Sequence, residues 1–511
     1  MKNRLALLFI VIFGLFFYAL TLRGIYGNIK SSEIKNNLDQ ATKPFELSPE
    51  RGRFLLTMSL AENKSFALSQ QLADAAYPDV GYKDGKFYIF FVPGISVLAL
   101  PFYIVGKGFN LDQVFSYSMI SFFAVLNLVF LYLISRKIFK LPILLSILVS
   151  FIFGFASTSW SYAITLSQHH VTTFFILSAF YAAWRYKNTQ RLSWLYSLYV
   201  WFAYGASIFL DYPNVVLLAP IMLYHFFTAF QIEKLKTKTK INFRLPYLIT
   251  SIIFFLLLAL HGYYNYANFG SPTKLSGSLV GYKTIKEQKL LQDTQGTAKI
   301  KNIAEEKTIQ GFFQEDQFPQ GLSILTGSLD RGLLLYSPLF ALSIIGIFLA
   351  LRKITLESGI LISAVLVNFF LYSSWGDPWG GWAFGPRYLI PSMAILAIFC
   401  AAWLNNTKYK IISRIAAFIL FMYSSAVALL GAITTSQVPP KIEADYLHTK
   451  YNFLLNYDYF RDGRSGSFIF NEYASNYVSL QQYFLIIWGT LLLIVFLLLF
   501  IPLFFAKKNE S

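Results

Sequence analysis

The sequence predicts an all-α polytopic membrane protein, with about 12 transmembrane helices and one further juxtamembrane or re-entrant element. Three observations predict it. Of the 511 residues, 56% are hydrophobic, 18% aromatic and only 14% charged, whereas soluble domains average about 25% charge. Many apolar runs reach the roughly 20 residues that a helix needs to cross a bilayer. The net charge of +17 traces to Lys and Arg in short loops between those runs, which is a topology signal and not a nucleic-acid patch. A single integral membrane domain over 1–511 therefore replaces the soluble domains that this length would otherwise allow. The partner is a lipid bilayer, and no nucleic acid is expected. The single cysteine, Cys400, excludes an intrachain disulfide and a Cys-rich metal site.

The first run, Leu5 to Leu22, follows Lys2 and Arg4 and reaches Arg23 without a small-residue cleavage site, so it reads as a retained helix. Further runs lie near 112–134, 141–160, 170–184, 193–210, 213–230, 247–265, 333–351, 358–374, 387–404, 411–433 and 482–506. The stretch from Phe87 to Gly106 is interrupted by Pro93, Gly94 and Pro101. Counted as a crossing, it would put Arg136, Lys137 and Lys140 outside. Counted as a re-entrant or interfacial element, it puts every short basic loop inside, which is what the positive-inside rule selects. Both termini are then cytoplasmic, in the cytoplasmic membrane. Three long outward segments remain: 24–111 with its juxtamembrane helices, 266–331 and 434–481. Within the second, Lys283 to Glu306 is polar and rich in Lys and Glu. Of the 26 acidic residues only Glu233, Glu357 and Glu510 fall inside, so the cytoplasmic side carries the whole charge excess and the outward side is neutral.

Polar groups at membrane depth are costly and mark candidate functional sites. Ser48-Pro49-Glu50-Arg51 opens a helical stretch to Leu60, with Glu50 in the dipole-favoured first turn. Asp84-Gly85-Lys86-Phe87-Tyr88 is a charged turn feeding the Pro-broken apolar segment, with Tyr88 suited to an interfacial belt. Trp160-Ser161-Tyr162 precedes Gln168-His169-His170, where adjacent histidines point to different helix faces and only one can serve as base or ligand. Arg331, at the outer end of a span before Tyr336, either snorkels or clamps a phosphate. The densest motif is Ser374 to Tyr388, with Asp377, Trp379, Gly380, Gly381, Trp382, Gly385, Pro386 and Arg387. Its glycines let backbone approach a ligand, its indoles offer stacking faces, and Asp377 and Arg387 are close enough in sequence to pair.

These motifs resemble those of the GT-C superfamily of polytopic glycosyltransferases that use lipid-linked sugars, and within it the prokaryotic group similar to protein O-mannosyltransferases and lipid A aminoarabinose transferases. The resemblance rests on Arg53 to Leu60, Asp84 to Tyr88 with Pro93-Gly94, Trp160-Ser161-Tyr162 with His169, Arg331 to Pro338, and Trp379-Gly380-Gly381-Trp382 with Gly385-Pro386-Arg387-Tyr388. It implies a cavity at the outer membrane face, a polyprenyl-phosphate sugar as donor and a hydroxyl acceptor on a lipid, polysaccharide or protein. It further implies an acid of the first outward loop acting as base or as ligand to a divalent metal. Glu50 takes that place and is followed by Arg51 where the family commonly has a second acid. His169 stands at the family's later acidic position. Arg331 and Arg387 are then the expected phosphate ligands, and attack opposite the phosphate would invert the anomeric centre. Asp84, Lys86, Tyr88, Tyr336, Asp377, Trp379, Trp382 and Tyr388 are the further expected substrate contacts. Two other readings fit the same sequence: a lipid-linked-sugar transporter or flippase, and a non-catalytic GT-C-like membrane protein.

Overall fold

The computed structural model describes residues 1–30, 45–234, 239–282 and 313–507. The chain is a multi-pass helical membrane protein. Seven helical segments among the described residues are long and apolar enough to cross a membrane: Lys2–Thr21, Asp112–Lys137, Pro246–Phe269, Leu356–Ser373, Arg387–Asn406, Lys410–Ile433 and Leu480–Leu503. That is fewer than the 12 expected, and the reason is local. Pro220 splits the 213–230 run into Asn214–Leu217 and Ala219–Ala229. Ser337-Pro338 likewise breaks 333–351, since proline cannot supply the helical N–H. The run at 141–160 yields a 13-residue helix, Ile143–Phe155.

Helix α1 (Lys2–Thr21) leads to α2 (Ser48–Glu62), α3 (Gln70–Ala76), strands β1 (Val80–Lys83) and β2 (Lys86–Ile89), and α4 (Gly94–Gly108). Then follow α5 (Asp112–Lys137), α6 (Ile143–Phe155), α7 (His169–Asn188), α8 (Ser193–Ile208), α9 (Ala219–Ala229), the hairpin β3 (Phe230–Lys234) and β4 (Thr239–Phe243), and α10 (Ile252–Phe269). The last part holds β5 (Val280–Gly281), α11 (Phe318–Thr326), α12 (Ala341–Arg352), α13 (Leu356–Ser373), α14 (Ile390–Asn406), α15 (Lys410–Ile433), α16 (Phe453–Arg461) and α17 (Leu480–Lys507). Lys283 to Glu306 lies outside the described residues.

The core is built around α5, α6, α7 and α14, whose facing residues are almost wholly buried. Small residues set the closest approaches, as expected where lipid removes most of the hydrophobic drive between helices. A Cβ on Gly346 of α12 would stand 2.0 Å from the Phe399 carbonyl of α14. By contrast α10 is mostly exposed and apolar, a lipid-facing helix.

The strands were not expected of an all-α chain. β1 and β2 pair antiparallel, Val80 with Ile89 through Lys83 with Lys86, and β5 pairs with the other edge of β1. Asp84 and Gly85 both have positive φ, 47° and 81°. This is the Asp-Gly chemistry that a two-residue hairpin turn with right-handed twist requires. The interrupted segment expected at Phe87 to Gly106 thus resolves into β2 and the 15-residue α4. Gly94 at its start donates its N–H to Phe209 O at 2.7 Å, and a Cβ there would meet the same carbonyl at 2.1 Å.

Candidate active site

Three loop segments far apart in sequence converge at one end of the bundle on a cavity of about 460 Å³ lined by Arg51, Asp79, Asp377, Trp382 and Arg387. The first wall is the start of α2. Pro49 in its first turn costs no hydrogen bond. Arg51 turns to the cavity, where its Nη2 donates to Tyr77 O at 2.5 Å. Glu50, one residue earlier, points the other way. It is 2% exposed and lies beside Arg23, Arg53 and Thr165, with Oε1 unpartnered.

The second wall is Pro78-Asp79, just before β1. The Ser48 hydroxyl donates to Asp79 Oδ2 and joins this wall to the first. Burial pushes the Asp79 carboxyl above the usual carboxylate range, while Ser48, Arg51, Arg387 and Arg53 pull it back down.

The third wall is the loop from Ser374 to Tyr388. The Asp377 carboxylate accepts from Gly381 N at 2.7 Å and closes its turn. Gly380 has φ 74°, and a Cβ there would lie 3.0 Å from Arg387 Nε. The conformation favours glycine at this position, and a side chain would push the Arg387 guanidinium aside. The Arg387 guanidinium sits over the Tyr388 ring at 5.5 Å, with Nε unpartnered. Tyr388 stacks flat on Tyr372 at 4.2 Å.

Behind this loop Arg331 is fully buried. Its guanidinium donates to Val438 O at 2.8 Å, Gly381 O at 3.3 Å and Trp379 O at 3.4 Å, and pairs with Asp330 at 3.1 Å. Arg331 is thus a latch and does not line the cavity. Tyr336 serves the same layer: its hydroxyl donates to Asp330 O at 3.2 Å and its ring meets Phe384 edge-on. We expect Arg331→Met to lower stability by about 3–5 kcal/mol, because it strands Asp330 and three loop carbonyls. A fall in the thermal unfolding midpoint of the purified chain measures it.

Other expected residues lie elsewhere. Asp84 is 83% exposed at the hairpin turn, paired with Lys83 at 3.3 Å, and Lys86 is exposed beside it. Tyr88 is buried against Phe269. None of these three lines the cavity. His169 is 4% exposed, with its ring edge-on to Tyr162 and Tyr388, so it reaches the site only through Tyr388. Its neighbour His170 is spent on Ser159 O at 2.8 Å. Trp382 does line the cavity, its indole N–H donating to Glu443.

Asp79 and Asp211 are the site residues that the motifs did not single out, and Arg53 opened one of the motifs without being assigned a role. Asp211, in the corner after α8, accepts from Gln168 at 3.2 Å, with Arg53 and Arg387 as its nearest cations. Arg53 is buried against the Phe91 ring at 4.8 Å, and burial lowers it to about 10. The signal for both aspartates was available: each is an acid next to a Tyr-Pro step in an outward segment, where a charge needs a reason. Among the described residues no three His, Cys, Asp or Glu side chains converge on a metal-binding geometry. The site carboxylates accept from neutral donors, Asp79 from the Ser48 hydroxyl, Asp211 from Gln168 and Asp377 from the Gly381 N–H.

No family model matches the chain, and no curated protein matches it. Solved structures do. The fold is similar to that of two membrane proteins. One is ArnT from Cupriavidus metallidurans, at 12% identity and a TM-score of 0.48 over 98% of this chain and 76% of that one in the apo state. The same protein bound to undecaprenyl phosphate matches at 11% identity and 0.46, over 96% and 75%. The other is the archaeal oligosaccharyltransferase AglB from Archaeoglobus fulgidus, in complex with an inhibitory peptide and a dolichol-phosphate, at 12% identity and 0.47 over 93% of this chain. The chain spans 59% of the AglB chain's length.

Proposed function

We propose that this chain transfers a sugar from a polyprenyl-phosphate donor to a hydroxyl acceptor at the outer face of the cytoplasmic membrane. The observation that carries the reading is the arrangement of the Asp79 carboxylate and two guanidiniums, Arg51 and Arg387, around one open cavity at the end of a membrane bundle, with Asp377 and Glu46 also on its wall. A hydroxyl can react only as it loses its proton, and a positioned base contributes typically about 10²–10⁴-fold. Asp79 takes that proton. The acceptor oxygen bonds to the anomeric carbon as the bond from that carbon to the phosphate oxygen breaks, with inversion. The departing polyprenyl phosphate gains negative charge, and Arg387 stabilises it through two parallel N–H donors, with Arg51 beside it. Trp382 offers an aromatic face to the sugar. Glu50, the base that the family resemblance implies, acts in this reading from behind the wall, holding Arg23 and Arg53 in the field of the cavity. His169 positions Tyr388.

Purified chain in liposomes, supplied with a series of polyprenyl-phosphate sugars, tests this by release of polyprenyl phosphate and appearance of a glycosylated hydroxyl. Sugar lipid crossing the bilayer without covalent change would establish the flippase reading instead. Neither outcome in any donor would leave a non-catalytic protein.

The orientation has its own test. Tyr446 is 85% exposed in the 434–481 segment, and Cys400 is buried. A Tyr446→Cys variant in intact cells should react with a membrane-impermeant maleimide while wild type stays unlabelled. Labelling only after permeabilisation would reverse the topology.

A further inference from the structure

The end of the bundle opposite the candidate active site carries a second cavity, of about 340 Å³. It forms where the end of α5, the start of α6, the end of α14 and the start of α15 meet, with Pro502 of α17 closing one side. Three cationic residues line it: Arg136, Lys410 and Arg414. Among the described residues each is tied to backbone carbonyls alone. Arg136 donates to Leu141 O at 3.1 Å, Lys410 to Asn405 O at 2.5 Å and Arg414 to Leu499 O at 2.8 Å.

None of the three has a carboxylate in ion-pairing distance among the described residues. Glu357, at the same end, is already engaged by Lys187 at 2.8 Å and Tyr224 at 2.9 Å. Arg414 is 8% exposed, and its Nε has no partner, nor has that of Arg136. Buried guanidinium without counter-charge is costly. The start of α6 adds to the positive field, since Pro142 caps it without a side-chain acceptor and its first N–H groups remain to be satisfied. Apart from Asn405, the rest of the wall is apolar, with Ile143, Leu144 and Leu404 among its side chains.

We propose that this cavity binds the phosphodiester of an anionic phospholipid, with the acyl chains along the apolar wall. Inorganic phosphate shares the anionic chemistry but has no use for that wall. The ligand would bridge α5, α6, α14 and α15 at the basic end, and α14 is the helix whose other end begins beside Arg387. Nothing in the transfer reaction requires this site, so it stands or falls independently of that reading.

The test uses the full chain purified in detergent, with dioleoylphosphatidylglycerol or dioleoylphosphatidylcholine added in mixed micelles, read by native mass spectrometry and thermal unfolding. Phosphatidylglycerol should stay bound and raise the unfolding midpoint, and phosphatidylcholine should do neither. The double variant Arg136→Gln/Arg414→Gln should lose retained lipid by about tenfold, the effect of removing charge-assisted hydrogen bonds. Should that variant fail to fold, Lys410→Gln, at an exposed helix start, should show a smaller loss in the same direction, while Lys410→Arg restores it. Equal retention of the two lipids, or unchanged retention in the variants, overturns the proposal. So does a thermal shift reproduced by millimolar inorganic phosphate alone, which would make this a free-anion site.

Discussion

Replacing Asp79 by Asn should lower donor turnover by about 10²–10⁴-fold, the usual worth of a positioned general base, with little change in stability. The side chain keeps its size, and the Ser48 hydroxyl keeps an acceptor. The same change at Glu50 should behave differently. Glu50 faces Arg23 and Arg53 from inside the protein and is 2% exposed, so Glu50→Gln should lower the thermal midpoint and reduce turnover only in step with it. Turnover lost at Glu50 with the fold intact, and retained at Asp79, would return the base to Glu50. The pH profile supplies a readout that a purely structural role would not move. A base must be deprotonated to work, and burial raises the Asp79 carboxyl above its ordinary range. The rate should therefore fall as pH drops through that raised value. Arg51 is one of the charges holding the value down. Arg51→Gln should thus move the acid limb to higher pH, and an unmoved limb would sever Asp79 from the chemistry.

How far the site was legible in the sequence follows from the same residues. The Ser374 to Tyr388 loop announced itself, because Asp, Arg, three tryptophans and clustered glycines have no joint explanation as a membrane belt. Gly380 shows one use of those glycines, since its φ of 74° lies in the left-handed region that favours glycine. Asp79 carried only the weak signal of an acid beside a Tyr-Pro step. It lies in a long loop with no periodicity, and its link to Ser48 spans 31 residues of chain. Nor could the sequence separate Arg331 from Arg387. Both stand at one end of an apolar run, ahead of a Tyr. What divides them is three-dimensional: one meets converging loop carbonyls and an aspartate, the other an aromatic ring and open space. The hairpin was hidden for a simpler reason. Its strands are four residues each, too short for a period of two to stand out, and β2 runs directly into the apolar stretch that begins at Phe87. The span count suffered from the same averaging, since apolarity counts residues whereas Pro220 and Pro338 decide where helices stop.

The separation of the two arginines leads to the sharpest test of the phosphate assignment. Arg387→Ala should lower turnover by about 10²–10³-fold, as loss of one preorganised donor to a developing oxyanion does. The charge alone does not account for the expected effect. A guanidinium presents two parallel donors to a phosphate, and an ammonium presents a point charge. Arg387→Lys should therefore recover only part of the rate. Because the leaving group is also the product, the same side chain should hold polyprenyl phosphate after transfer. Inhibition by added polyprenyl phosphate should thus weaken in both variants, more in Ala than in Lys. Arg331→Lys serves as the contrast. It loses the bonds to Trp379, Gly381 and Val438 carbonyls, so turnover should drop together with the unfolding midpoint, while product inhibition of the folded fraction stays as in wild type. A rate loss at Arg387 without any change in product inhibition would remove the phosphate from its reach and leave Arg51 as the only guanidinium in the cavity able to take that part.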